Sequence, residues 1–238
     1  MAAPKCSIAP VSSFDLPTLA SFIHSSKLAL SINRVIFQQW PNEPLQRTLY
    51  TNAVESAYED PSMECFKAVE ESNEIIGYIV IARKKPVGSK DKPSTDTDNQ
   101  NVSGGQDIPD GLNPGLLTEV NNATVEIAKD TEDLDRFGKT YLSIHIRNEL
   151  TYQVELIYMC VRPSKQGYGI GSQLMQLGFD RAKVEGIPFA ICAEAPAYGF
   201  FAKLGFKDLR HQDIDLRKYA SAFSGFGVFR LSGMIWRP

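Results

Sequence analysis

No apolar run in this chain approaches the length needed to cross a bilayer, and Met1-Ala2-Ala3-Pro4-Lys5-Cys6 lacks the apolar segment of a secretory signal. No membrane partner is therefore expected. The four cysteines, Cys6, Cys65, Cys160 and Cys192, show neither the paired spacing of a zinc site nor that of a disulfide framework. Cys160 and Cys192 fall within apolar strands, where a thiol usually behaves as a small hydrophobe. A reducing, cytoplasmic compartment is the expectation. His24, His145 and His211 lie far apart without ligand spacing, so no metal is expected. A net charge of −3 leaves no basic footprint for nucleic acid. No serine sits in a nucleophile elbow, and no internal repeat is evident.

What is present can fold. With 238 residues and 43% hydrophobic content the chain can bury a sizeable core, and one domain over 1–238 is the default. Its organising stretch runs from Val154 to Arg181. Val154-Glu155-Leu156-Ile157-Tyr158-Met159-Cys160-Val161 reads as a buried central strand, ended by Arg162-Pro163 because proline has no amide hydrogen for a neighbour. Gln166-Gly167-Tyr168-Gly169-Ile170-Gly171 follows, and then a helix from Ser172 with Leu174, Leu177 and Phe179 on its apolar face. The first amides of a helix have no partner within it, and the macrodipole is positive there. Glycines let the preceding backbone turn tightly and approach a ligand, so a phosphate or pyrophosphate can be held by main-chain N–H groups. A glycine-rich turn without a ligand is the plain alternative. The dinucleotide pattern is excluded because Gly167, Gly169 and Gly171 alternate strictly, and the P-loop pattern because Gly171-Ser172-Gln173 lacks its lysine.

Gln166-x-x-Gly169-x-Gly171 after a strand ending in Val161 resembles the acyl-CoA signature of the GNAT superfamily of N-acetyltransferases. Tyr198-Gly199-Phe200-Phe201-Ala202-Lys203-Leu204-Gly205-Phe206 resembles the helix and Gly-Phe turn that close the GNAT core. The likeness covers roughly Ile157 to Phe206. Gly111 to Pro114 and the long insert before the signature also resemble GNAT proteins of filamentous fungi. The resemblance implies an α/β (α+β) GNAT fold: a central mixed β-sheet flanked by helices, with acetyl-CoA as co-substrate.

Taken in order, Ser7 to Val11 reads as a first strand, and Ser13 as the N-cap of a helix through Leu16, Leu19, Phe22 and Ile23. A second helix is expected from Leu28 to about Trp40, broken by Pro41-Asn42-Glu43-Pro44, and a third from Leu45 to Tyr58. In GNAT folds this early region overhangs the acceptor pocket, so Phe37 and Trp40 are candidates to touch substrate; core packing is the ordinary account of both. Cys65–Glu70 and Ile75–Ala82 read as a hairpin across Ser72-Asn73-Glu74. From 84 to 110 few apolar residues occur, and a disordered insert loop is expected within the domain. Leu116 to Ala128 has helical spacing. Leu134, Phe137, Tyr141 and Ile144 suggest another helix to Arg147, although Tyr141–Ile146 also alternates like a strand. These helices would be additions before the central strand. Phe189–Ala193 reads as a strand, Pro196 as the start of a short helix, and Asp213–Leu216 with Phe226–Trp236 as a terminal strand pair.

Acyl transfer to an amine needs the neutral amine. An alkylammonium of pKa about 10.4 supplies roughly one neutral molecule in a thousand at pH 7, a cost of about 4–5 kcal/mol. Glu155 interrupts an apolar strand six residues before Val161, where histone-type GNAT members carry their catalytic glutamate. Burial would raise its pKa towards the useful range. Its alternative is a solvated or ion-paired strand carboxylate, beside Arg147 or Arg162. The backbone near Met159, Cys160 or Val161 would meet the acetyl carbonyl, and the amides from Gln166 to Gly171 the CoA pyrophosphate, with a hydroxyl from Ser172. Many GNAT enzymes place a proton-donating tyrosine four residues before the glycine of the Gly-Phe turn; here that position is Phe201. Tyr198, one helical turn earlier, is the substitute candidate or else a packed aromatic.

The reading that results is an N-acetyltransferase moving acetyl from acetyl-CoA to a primary amine of a small molecule, by direct attack in a ternary complex. Its rivals are a catalytically silent acyl-CoA-binding module and a protein lysine acetyltransferase. Nothing in the sequence specifies an oligomeric state.

Overall fold

The computed structural model describes residues 6–84, 108–138 and 153–238. Most of the expected insert, and the segment containing Tyr141, His145 and Arg147, lie outside the described residues. Seven strands form one sheet: β1 (Cys6–Pro10), β2 (Met63–Glu70), β3 (Ile75–Lys84), β4 (Gln153–Val161), β5 (Phe189–Glu194), β6 (Lys207–Asp215) and β7 (Val228–Trp236). They lie in the order β1-β2-β3-β4-β5-β7-β6. Only β4 and β5 run parallel; every other pairing is antiparallel, so the sheet is mixed as expected. The β2–β3 hairpin turns through Asn73 at φ 65°, a left-handed conformation that asparagine tolerates well.

Helices cover both faces. On one, α5 (Ile170–Glu185) and α6 (Ala195–Lys203) close over Ile76, Ile79, Val154, Phe189 and Met234. On the other, α1 (Leu16–Lys27) and α3 (Glu43–Glu59) pack against Tyr78, Val80 and Cys160. Beside them α4 (Pro114–Gly138) places Leu116, Ala123 and Ile127 against Ile214, Phe229 and Leu231 of β6 and β7. The apolar positions of α5 fall at helical spacing: Leu174, Met175, Phe179 and Ala182 are all buried, with Gln173, Gln176 and Asp180 outside.

Two local expectations are corrected. Ser12, not Ser13, opens the first helical region: its N–H and hydroxyl donate to Asp15 Oδ2 at 2.8 and 2.7 Å, closing a 3₁₀ turn (Ser13–Asp15) before α1. The helix expected from Leu28 to Trp40 contracts to α2 (Asn33–Ile36). Asn33 Nδ2 donates to the Lys27 carbonyl at 2.8 Å, which satisfies the end of α1 and stabilises a turn there. Gln39 at φ 56° then leaves the helical region altogether.

One irregularity in the sheet decides where a ligand fits. Val80 pairs with Tyr158 but Ile81 with Leu156, so Ile157 is an extra residue, a bulge in β4. The bulge resets the alternation: Leu156 and Met159 pack towards α5, while Tyr158 and Cys160 pack towards α1. On its other edge β4 pairs with β5 only over Val154–Leu156 and Phe189–Ile191. Beyond Leu156 the two parallel strands part.

Candidate active site

The gap between β4 and β5 opens into a cavity of about 580 Å³. Its composition follows from the strand register. Arg162 N–H bonds to Ile76 O at 2.9 Å, so residues 162, 160 and 158 direct their main-chain groups at β3. Met159 and Val161, of opposite parity, direct theirs into the gap. Gln166 Nε2 donates to Val161 O at 3.0 Å, which fits this direction and ties the loop to the strand.

The loop then delivers a helix start. Gly167 and Gly169 take φ 80° and 82°, which ordinary side chains resist. The first backbone bond of α5 runs from Gln173 N–H to Gly169 O at 3.0 Å, so the amides of Ile170, Gly171 and Ser172 precede the helical ladder. Ile170 and Leu174, both buried in the core, hold this end of the helix in place. At Gly171 a Cβ would lie 3.2 Å from the Phe200 ring, so glycine here admits the close approach of α6. These features fit a pyrophosphate. Main-chain donors converge at the positive end of a 16-residue helix, and glycines leave the approach clear.

Met159, Cys160 and Val161 line the cavity, as do Gln166, Gly167, Gly169, Ile170, Gly171 and Ser172; Tyr168, half-buried, is not on its wall. Burial pushes the Cys160 thiol up to about 12, so at neutral pH it is no thiolate nucleophile. Glu155 sits within the paired part of β4, opposite Ala82 and Ala190, half-buried and set back from the cavity wall. It shares a sheet face with Cys192: burial pushes that thiol up to about 11, and the charges of Glu155 and Glu194 add to the effect. Tyr198 is 37% exposed and off the wall; from α6 it is Ala197 and Phe200 that line the cavity. Phe201 turns into the core, its ring centroid 5.9 Å from that of Phe206. Phe37 is buried against Trp40 and Tyr50, and neither Phe37 nor Trp40 reaches the cavity.

The far end of the cavity is built from residues that sequence reasoning did not single out: Ser26, Lys27 and Leu30 around the end of α1, Tyr158 on β4, and Glu194 at the end of β5. Lys27 Nζ lies 2.7 Å from Glu194 Oε1 and 5.5 Å from the centroid of the Tyr158 ring. The Tyr158 and Ser26 hydroxyls share a hydrogen bond of 2.8 Å, and burial raises the Tyr158 pKa well above its ordinary value. Glu194 occupies the N-cap of α6 but makes no side-chain cap bond; the carboxylate goes to Lys27 instead. A strand-end acid before Pro196 reads as a helix cap, so the sequence offers no signal for this role. Among the described residues no group of acidic, histidine or cysteine side chains could hold a metal ion, and no helix is long and apolar enough to cross a membrane.

Comparison with known proteins places this architecture. Residues 127–208 match the model of the acetyltransferase (GNAT) domain. No curated protein matches the chain. Among solved structures, a polyamine N-acetyltransferase of Drosophila melanogaster superposes with a TM-score of 0.57 at 12% identity, covering 98% of this chain and 100% of the other. A Corynebacterium glutamicum protein described as histone acetyltransferase HPA2 and related acetyltransferase gives 0.53 at 19% identity, over 98% and 96%. NAA60 of Arabidopsis thaliana in complex with acetyl-CoA gives 0.52 at 12%, over 98% and 100%. The chain therefore has the GNAT fold, with the acetyltransferase (GNAT) domain signature falling on its residues 127–208.

Proposed function

We propose that this protein, a single GNAT domain over residues 1–238, is a cytoplasmic N-acetyltransferase that moves acetyl from acetyl-CoA to a primary amine of a small molecule. One observation carries the reading: a single cavity joins the glycine-flanked amides of α5 to the β4–β5 gap and on to a polar end walled by Ser26, Lys27, Tyr158 and Glu194. Main-chain N–H groups of Ile170 to Ser172 receive the CoA pyrophosphate, with Gln166 and Gly167 beside them. The pantetheine arm follows the parted edge of β4, and the N–H of Met159 or Val161 meets the acetyl oxygen as charge develops there. One neighbour's name, a polyamine N-acetyltransferase, favours an amine acceptor, and another, solved with acetyl-CoA, favours that co-substrate. Gly111 to Pro114 and the insert keep a likeness to fungal GNAT proteins part of this reading.

The amine nitrogen bonds to the acetyl carbon to give a tetrahedral intermediate, from which the carbon–sulfur bond then breaks. One ammonium proton leaves before attack, to Glu155, reached through water because this carboxylate stands back from the wall. The second leaves the tetrahedral intermediate and neutralises the CoA thiolate. A thiol of pKa about 8.5 is a good enough leaving group to depart as thiolate at neutral pH, so Phe201 in place of a tyrosine does not bar turnover; Tyr198, on the same helix, is the candidate to relay that second proton. The test is thiol release from acetyl-CoA across a panel of small amines, with binding of acetyl-CoA measured by calorimetry. Binding without release for any amine would make the protein a silent acyl-CoA module, and no binding at all defeats the reading outright.

A further inference from the structure

The acceptor end of the cavity already contains a primary ammonium. Lys27 Nζ is held there by Glu194 Oε1 at 2.7 Å, with the Tyr158 ring 5.5 Å away. Carboxylate and aromatic face together are the two elements that recognise a cation by charge and by quadrupole. The Tyr158 ring is itself fixed by the hydroxyl bond to Ser26 and by packing against Tyr78, with centroids 6.0 Å apart. The Glu194 carboxylate is free of the usual duty of its position, since it does not cap α6. Both members of the ion pair are partly exposed, with side chains 24% and 33% accessible, so the lysine can swing out on its flexible stem. The other cation on the wall, Lys165, is engaged at 2.5 Å by Glu70 and belongs to the loop before α5.

We propose that Glu194 and Tyr158 form the binding site for the acceptor's ammonium, and that Lys27 is a built-in competitor that the acceptor must displace. This rests on the transfer reading above and names its substrate class: a cationic primary amine without a carboxylate beside the nitrogen, which Glu194 would repel. Electrostatics gives the idea a sign. With both residues present this end of the cavity is neutral. Removing Lys27 leaves a negative site that attracts an ammonium, and neutralising Glu194 leaves a positive one that repels it. An ion pair that merely braces α1 against β5 would respond alike to the loss of either member.

The experiment measures binding of 1,4-diaminobutane, and of neutral 1,4-butanediol, to the protein by calorimetry, in parallel with amine-dependent thiol release. Glu194→Gln is expected to raise the dissociation constant and KM for the diamine at least about 10-fold, and Lys27→Met to lower both at least about 3-fold. Acetyl-CoA affinity should move less than about 2-fold in either, and the diol should not respond. Should Glu194→Gln fail to fold, Lys27→Met decides alone. Opposite shifts in diamine binding without thiol release in any form would uphold the ammonium site and overturn the transfer reading. Thiol release by the wild type with both variants shifting diamine affinity the same way, or not at all, overturns the site and leaves transfer standing. The site is also overturned if neither wild type nor Lys27→Met binds the diamine, or if Lys27→Met weakens acetyl-CoA instead, which would make Lys27 a contact for that ligand.

Discussion

At one end of the cavity the groups offered to a ligand are main-chain amides at the start of α5; at the other they are side chains of Ser26, Lys27, Tyr158 and Glu194, drawn from three separate elements. The two ends differ in what makes them rigid. The amides are fixed by the helix and by Ile170 and Leu174 in the core, and no side-chain rotamer has to be chosen. The polar end instead depends on the Lys27–Glu194 pair and the Ser26–Tyr158 hydroxyl bond, each of which spans more than 100 residues of sequence. A ligand common to many proteins suits a backbone cradle, because main-chain donors tolerate sequence change. A particular acceptor suits side chains, which can change one at a time.

The sharpest way to break this contrast is to attack chemistry and binding separately. Glu155→Gln is expected to lower kcat by about 10²–10⁴-fold, the usual share of a general base, with acetyl-CoA affinity retained. Steady-state kinetics with calorimetry checks it, and a kcat within a few-fold of wild type removes Glu155 from the mechanism. Next in size, Gly171→Leu should raise the acetyl-CoA dissociation constant about 30-fold, roughly 2 kcal/mol, by placing a side chain where the amides need open approach. Its Cβ would already press on Phe200 at 3.2 Å. If affinity survives that substitution, the cradle does not lie at the start of α5.

Legibility in the sequence followed the same divide. β4, the glycine turn and α5 form one contiguous stretch whose alternation, glycine spacing and helical period each point the same way, so the segment could be read whole. β5, the Pro196 helix and β7 were legible for similar reasons; of β6 only Asp213–Asp215 was, because the strand starts at Lys207 in a run of charged and polar residues, and Leu216 already belongs to the turn that follows. The polar end of the cavity was not legible, because Lys27 and Glu194 are ordinary residues until the fold brings them within 2.7 Å. Core packing, the ordinary account of Phe37 and Trp40, holds for Phe37, which is buried beside Tyr50, and the cavity is lined instead by Ser26, Lys27 and Leu30. The bulge at Ile157 also leaves no trace in an unbroken β-rich run; it emerges only from pairing with β3. The shortened α2 has a similar cause, since Asn33 reaching back to the Lys27 carbonyl competes with a helix that propensity alone favours.

A smaller test separates backbone geometry from ligand contact. Gly169→Ala places a side chain at φ 82° in open space, so only conformational strain is added, about 1–2 kcal/mol. Gly199→Ala, in α6 with nothing near its Cβ, should stabilise by roughly 0.5–1 kcal/mol through helix propensity. Thermal melts of the two should therefore shift in opposite directions, by a few degrees each. If Gly169→Ala melts at or above the wild type, that glycine is not required by the turn.

The least effect expected comes from His24, on α1. Its side chain is buried, its Nε2 has no hydrogen-bond partner among the described residues, and its ring lies 5.9 Å from that of Tyr50. Burial, and then the positive charge of Arg47, hold its pKa below the ordinary 6.5, against a smaller opposing pull from Glu43. The folded state thus disfavours the imidazolium. Above pH 6.5 the histidine is neutral whether folded or not, and the full stability is present. As the pH falls below that value the unfolded chain takes up a proton that the folded one resists, and stability is lost towards the lower folded pKa. One such group can contribute a slope of at most about 1.4 kcal/mol per pH unit. Melting temperatures taken from pH 7.5 to 5 should fall for the wild type and flatten in His24→Leu, which keeps the volume and removes the titration. An equal acid slope in both proteins would mean that α1, which carries Ser26 and Lys27 of the cavity wall, is not where protonation loosens the fold.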